Sequence, residues 1–179
     1  VRSYILSAFP VEFLNQMQNM LGDEYPAFLL AMDEPPSLAL RLNPLRANAA
    51  EAAAPFIEEN VPWAEHGRYL KPGARPGAGI AHAAGAFYIQ EASAMAPVAL
   101  LDPQPGERVC DLCAAPGGKT TQIAGRMGGV GFLLSNEYSP KRAKILSRNV
   151  ERLGIANALV TNETPQRLAQ RLPGFFDRV

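Results

Sequence analysis

Residues 107–120, ERVCDLCAAPGGKT, carry the part of this chain best suited to chemistry. An apolar run enters a Pro-Gly-Gly loop, a helix-forming run follows, and an acidic residue, Glu137, closes the next apolar run. A strand, a glycine turn and a helix start expose a row of main-chain amides, and an acid about 20 residues further on is placed for ribose hydroxyls. That layout suits a nucleoside cofactor. Lys119 stands out within it, because a cation in a first helical turn opposes the macrodipole by ~0.3–1 kcal/mol. Its presence implies a nearby anion, either a carboxylate or a substrate phosphate.

Three ligand classes compete for such a loop. A phosphate-gripping GxxxxGK[ST] loop would need glycine at position 113, where this chain has Cys113, and Pro116 removes one amide donor. A dinucleotide site would need GxGxxG spacing, which is absent. S-adenosylmethionine has no pyrophosphate and asks for less. It needs close main-chain approach, an amide-rich helix start for its carboxylate, and an acid for its ribose. Gly117 and Gly118, the start of the Lys119 helix, and Glu137 meet these needs in turn.

The elements that must hold these residues follow from periodicity and punctuation. The pattern predicts a helix over 90–101 kinked at Pro97, a strand over 107–112, a helix over 119–127 and a strand over 131–137. A helix over 139–153, a strand over 158–161, a helix over 166–172 and a strand from 176 complete the series. Ser139 as cap, Pro140 in the first turn and Gly154 as stop frame the longest helix. Strands alternating with helices give a parallel doubly wound sheet. Ahead of it the pattern predicts helices over 10–21 and 25–32, a half-buried strand over 37–43, and a helix over 47–60. In that strand Leu38, Leu40 and Leu42 share one face and Arg41 takes the other. Residues 67–79, rich in Gly and Pro, read as irregular, with a domain boundary near residue 80. The fold class is therefore α/β, with a small α+β domain over 1–80 and the parallel sheet over 81–179.

Seventeen basic and seventeen acidic residues leave no net charge in 179, so any nucleic-acid role must come from local patches. A hydrophobic fraction of 47% suffices for a core. No apolar run approaches the ~18 residues that span a membrane, and YILSAF near the start is too short for a signal peptide. Two cysteines three positions apart make no secreted disulfide framework, and with no second ligand pair they make no zinc site. A cytoplasmic protein that binds no metal is expected. Cys110 reads as a small buried hydrophobe. Arg68, Lys71 and Arg75, beside Tyr69, are candidates for RNA, since a basic loop follows phosphates while an aromatic stacks on a base. Arg41 and Asn43, on the polar side of their strand, are further RNA candidates. Lys141, Lys144, Arg148 and Arg152 read as a solvated helix face. Trp63, His66 and His82 carry no motif. The chain begins at Val1 rather than Met, as a piece of a longer protein would.

DLCAAPGGKT at 111–120, GAFYIQEASA at 85–94, LDPQPGERV at 101–109, VPW at 61–63 and LRLNPL at 40–45 resemble the Sun/Nop-type RNA (cytosine-5) methyltransferases, closest to their bacterial 16S ribosomal RNA branch. The likeness covers nearly the whole chain. It implies a Rossmann-like S-adenosylmethionine-dependent sheet, cut off here after about four strands, behind an RNA-contacting domain. Carried over by position, it implies that Cys113, Ala114, Ala115, Pro116, Gly117, Gly118 and Lys119 line the cofactor loop. Glu137 would bind the ribose, and Arg142 matches the basic position in the next helix. The family often has Asp at the adenine, near the end of the third strand; this chain departs, offering Thr164 with Glu163 beside it. The family's chemistry adds a thiolate to C6 of cytosine, methylates C5, then removes the C5 proton. The resemblance places its cysteines after the fourth and fifth strands, beyond Val179, so no catalytic residue is expected here and the piece itself is expected to be inactive. Two other readings stay open: a methyltransferase acting on something other than RNA, and a non-catalytic RNA-binding module. A parallel sheet lacking its later strands is also expected to associate or to be poorly stable.

Overall fold

The computed structural model describes residues 9–34 and 36–179, which divide after residue 36 into two compact units. In the first, α1 (Val11–Leu21) and α2 (Tyr25–Asp33) are joined by a 3-10 turn over Gly22–Glu24. Gly22 ends α1 at φ +52°, where a side chain would be strained. Phe13 ties the two helices, its ring 6.4 Å from that of Phe28. Both helices match their sequence expectation.

The second unit opens with an antiparallel sheet in the order β2-β3-β1-β4, made of β1 (Ala39–Leu42), β2 (Ile57–Asn60), β3 (Gly67–Leu70) and β4 (Phe87–Ile89). Short helices α3 (Ala49–Ala53) and α4 (Ile80–Ala83) sit in its connections. Three expectations fail here. The helix predicted over 47–60 stops after Ala53, because residues 57–60 pair with β3; cross-strand pairing overrides the local preference of an Ala/Glu-rich run. Residues 67–79 are only partly irregular, since β3 pairs with both β1 and β2. Gly67 suits that strand because a Cβ there would come within 2.8 Å of Val61 and 2.9 Å of Met95. The alternation read over 37–43 is also broken. Leu38, just ahead of β1, is 52% exposed, whereas Arg41 is only 3% exposed because the start of the Gly118–Arg126 helix covers that face of the strand. β4 lies past residue 80 and pairs with β1, so the antiparallel sheet extends beyond the position read as a boundary.

The parallel half follows its sequence pattern within two residues at every element it completes. It comprises α5 (Ala92–Leu101), β5 (Arg108–Asp111), α6 (Gly118–Arg126), β6 (Phe132–Asn136), α7 (Pro140–Arg152), β7 (Ala158–Thr161) and α8 (Pro165–Arg171). Its strands run in the order β5-β6-β7. The strand expected from residue 176 is reduced to one parallel bridge between Val109 and Arg178. Cys110 N–H donates to Arg178 O at 2.9 Å and Asp177 N–H to Arg108 O at 2.8 Å. These bonds lie on the edge of β5 away from β6, so the strand order reverses at β5 and opens a crevice at its carboxyl end.

Val109, Ile123, Met127, Leu133, Leu146 and Leu153 form the core of this half, and Tyr88 from β4 joins them. Gly125 lets α6 lie close beneath Pro44, to whose Cγ a Cβ would approach within 3.0 Å. Leu146 is fully buried, and Leu146→Ala is expected to cost about 2–5 kcal/mol in chemical denaturation. Two ion pairs fasten the last residues: Arg108 to Asp177 at 2.8 Å and Arg178 to Glu107 at 2.7 Å. The Arg108 hydrogen bonds hold the Asp177 carboxyl down, from its ordinary 3.8 to about 2. A lowered carboxyl stabilises the fold above its unfolded value and loses that contribution as pH falls through the folded one. The protection of amides over 176–179, measured as exchange relative to the intrinsic rate at each pH, should therefore fall in wild type as pH drops from about 4 to 2, and Asp177→Asn should lack that step.

Candidate functional site

The crevice is built from the loop that follows β5. Ala114 N–H donates to Asn136 O at 2.8 Å, Arg142 Nη2 to Ala115 O at 2.7 Å and Asn149 Nδ2 to Pro116 O at 2.8 Å. Thus β6 and α7 hold the loop from one side. Gly117 has φ +113°, and a Cβ there would lie 3.2 Å from Leu146 Cδ1. A Cβ on Gly118 would lie 3.4 Å from Gln90 and Tyr88. Gly117 therefore serves first to seat the loop against α7, whereas at Gly118 a Cβ would make only ordinary contact with the antiparallel sheet. Lacking side chains, the two glycines bring the start of α6 in close, where the N–H groups of Gly118, Lys119 and Thr120 have no carbonyl one turn back to accept them. These amides, with the positive end of the helix, make an anion site.

Across the loop stands Glu137, 5% exposed, just past the end of β6. Ser139 N–H donates to its Oε1 at 2.9 Å, and Arg142 Nη1 lies 3.4 Å from its Oε2. The carboxylate thus sits at the start of α7, where the macrodipole favours it. Arg142 touches both Glu137 and the Ala115 carbonyl, so the structure joins the acid and the loop through a residue the sequence had singled out.

Two site residues escaped the sequence reading. Asn136, 1% exposed, accepts at Oδ1 from Thr161 Oγ1 and from Glu163 N–H, both at 2.9 Å. Its Nδ2 donates to Glu163 O at 2.9 Å and to Leu112 O at 3.3 Å. It ties together the carboxyl ends of three strands. The only sequence signal was an amide beside the acid at a strand end. Asp111 accepts from Thr120 Oγ1 at 2.7 Å, and burial pushes its carboxyl up against the opposing pull of that hydroxyl and of Lys119. Asp111 is a carboxylate near enough to feel the charge of Lys119, although no ion pair joins the two among the described residues.

Beyond β7, a cleft of about 540 Å³ is lined by Tyr138, Asn162, Glu163, Thr164 and Arg167, among others. Thr164 caps α8, accepting from Arg167 N–H at 3.3 Å, and Glu163 pairs with Arg167 at 2.9 Å. Cys113 is exposed on the loop, whereas Cys110 is buried and its thiol is pushed up to about 11. No cluster fit for a metal occurs among the described residues.

The candidates for RNA separate into two groups. Arg41 and Asn43 are corrected: both are buried and bonded to protein, Asn43 Nδ2 donating to Gly85 O at 2.8 Å and Leu153 O at 3.0 Å. Arg68 donates to the carbonyls of Glu65 and Gly67, and Tyr69 packs half-buried against the core. Lys71 and Arg75 are exposed. On α7, Lys141, Lys144 and Arg148 face solvent as expected, but Arg152 turns inward to donate to His82 O at 2.6 Å.

Two family models match end to end. The N-terminal domain of 16S rRNA methyltransferase RsmF covers residues 9–92, and 16S rRNA methyltransferase RsmB/F covers residues 98–179. The chain belongs to the RsmF family of 16S rRNA methyltransferases. It is 40% identical over 185 residues to the ribosomal RNA small subunit methyltransferase F of Klebsiella pneumoniae (strain 342), covering 96% of this chain and 39% of that protein. The corresponding protein of Salmonella arizonae is 39% identical, with 96% and 38% covered. The chain therefore spans about two fifths of the length of these relatives. A methyltransferase homolog from Pyrococcus horikoshii superposes with a TM-score of 0.79 at 29% identity, over 92% of this chain and 56% of that one. NSun6 from the same organism, solved with SFG, shares the fold at a TM-score of 0.79 and 18% identity, over 92% and 68%. The Rossmann-like fold and the Sun/Nop-type resemblance read from the sequence are thereby established.

Within this family frame the two thiols are predicted to differ sharply. Iodoacetamide at neutral pH should alkylate Cys113 readily and Cys110 only after denaturation, as mass spectrometry of peptide digests would report.

Proposed function

We propose that this chain supplies the cofactor-binding part of an S-adenosylmethionine-dependent enzyme that methylates C5 of a cytosine in small-subunit ribosomal RNA. The observation that carries the reading is the meeting of the amide-lined start of α6 with Glu137, joined through Arg142, at the crevice where the strand order reverses. The match to the RsmF and RsmB/F families supports the ribosomal substrate and the cytosine chemistry.

The site fits the cofactor on its own terms. The free amides of Gly118, Lys119 and Thr120 would take the carboxylate. Glu137 would accept the ribose hydroxyls, with Ser139 N–H and Arg142 fixing its orientation. The main chain from Cys113 to Pro116 would line the crevice, and Glu163 and Thr164 would flank the adenine in the cleft beyond β7. When bound, the cofactor supplies an electrophilic methyl on sulfonium. C5 of cytosine becomes nucleophilic only after a thiolate adds at C6. Cys110 is unsuited to that task, because it is buried and its thiol is held at about 11. Cys113 belongs to the loop that would hold the cofactor, and the family resemblance puts the attacking thiolate after the fourth and fifth strands, so this piece alone is expected to be inactive. Lys71 and Arg75, with Lys141, Lys144 and Arg148, are the exposed cations available to RNA phosphates. No helix among the described residues is long and apolar enough to cross a membrane. A ribosomal RNA substrate supports a cytoplasmic enzyme.

Calorimetry with S-adenosylhomocysteine should show one site, weakened on the order of tenfold by Glu137→Ala, as expected for losing hydrogen bonds to a charged group. Equal affinity would remove Glu137 from the site. Filter binding to 16S RNA should weaken steeply with salt, and Lys71→Ala should flatten that slope by about one. A slope near zero would favour a substrate other than RNA.

A further inference from the structure

Arg41, set aside as an RNA contact, has a different claim on function. It lies at the centre of β1, yet its guanidinium reaches across to the cofactor loop. Nε donates to Gln90 Oε1 at 3.0 Å, and Nη2 donates to Thr121 Oγ1 at 2.6 Å and to Gly118 O at 3.0 Å. The Tyr88 ring centre is 5.9 Å from the guanidinium carbon. Every one of these acceptors is neutral. No carboxylate forms an ion pair with Arg41 among the described residues; Glu65, which lines the same cavity of about 20 Å³, makes none with it. Burial without a counter-ion draws the guanidinium down to about 9.

A fold selected for stability alone has little reason to keep such a charge. Burying an unpaired cation is costly, and an apolar side chain of similar volume packs a strand centre as well. Here the cation also abuts the first turn of α6, where the helix already presents its positive end. The two fields reinforce each other at the amides of Gly118, Lys119 and Thr120. Asp111 presents a carboxylate to that turn, but it accepts from Thr120 Oγ1 and forms no ion pair with Arg41 among the described residues, so the charge of Arg41 is left to act on a ligand at the helix start.

We infer that Arg41 is a positioning residue of the cofactor loop that also supplies charge: it holds the first turn of α6 through Gly118 and Thr121, and its uncompensated charge favours ligands with a carboxylate at the helix start. This rests on the cofactor reading above and adds to it a residue of the antiparallel sheet acting through the loop.

The test compares S-adenosylhomocysteine with its decarboxylated analogue, 5′-S-(3-aminopropyl)-5′-thioadenosine, by calorimetry on wild type and variants. Wild type should prefer the carboxylate-bearing ligand. Arg41→Gln should cut that preference on the order of tenfold, the scale of one unit charge acting across several ångströms of protein. Arg41→Lys, which keeps the charge, should retain most of it. Gln90→Glu places a carboxylate against Nε, neutralising the buried charge while leaving Arg41 in place. It should lower the preference in the same direction, and it covers the case in which Arg41→Gln does not fold. If either neutralising variant weakens both ligands equally, the role is structural only and the inference fails. If wild type binds neither ligand, the cofactor assignment itself falls, and this inference with it.

Discussion

Four hydrogen bonds from a single buried amide, that of Asn136, fix the level at which β5, β6 and β7 end. Each such bond contributes only about 0.5–1.5 kcal/mol net, but leaving any of these buried partners unmet costs about 1–3 kcal/mol. The three strand ends are therefore locked in register with one another. The crevice exists because of that alignment. Ala114 hangs from the main-chain carbonyl of the same residue, and Glu137 is its immediate neighbour in sequence. Loop and acid thus take their positions from one point in the sheet.

Around this point the loop is pressed from two sides. Helix α7 contributes Leu146, Asn149 and Arg142, while the antiparallel sheet contributes Tyr88, Gln90 and Arg41. Gly117 is the residue that permits the close contact with α7. The same sheet is fastened to the far end of α7, where Asn43 and Arg152 each donate to main-chain carbonyls across the junction. The two sheets consequently share one core, with Tyr88 embedded among the side chains of the parallel half.

The parallel half was legible because its signals are local. Ser139, Pro140 and Gly154 bracket α7, and the alternation of apolar runs with amphipathic ones sets the order of elements. What was illegible depended on partners distant in sequence. Residues 57–60 read as helix until β3 is alongside them. Arg41 and Asn43 look exposed because a polar residue in an alternating strand is normally solvated, and only the coverage of both faces by later elements reverses that. Gly117 shows in sequence that space is needed, but not that Leu146 is what fills it. Asp111 and Asn136 belong to residue types too common at strand ends to stand out.

Gly125 beneath Pro44 has a further bearing on how this architecture can vary. A glycine inside a helix costs about 1 kcal/mol relative to alanine, so the close approach it permits must return at least that much. With Arg41 gripping the opening turn of α6 and Pro44 resting on its closing one, the helix is clamped along its length by a single short stretch of the preceding sheet. Segments 41–44 and 118–125 are thereby constrained to drift together, and a chimera that exchanges one of them between relatives without the other would misseat the amides at the mouth of the crevice.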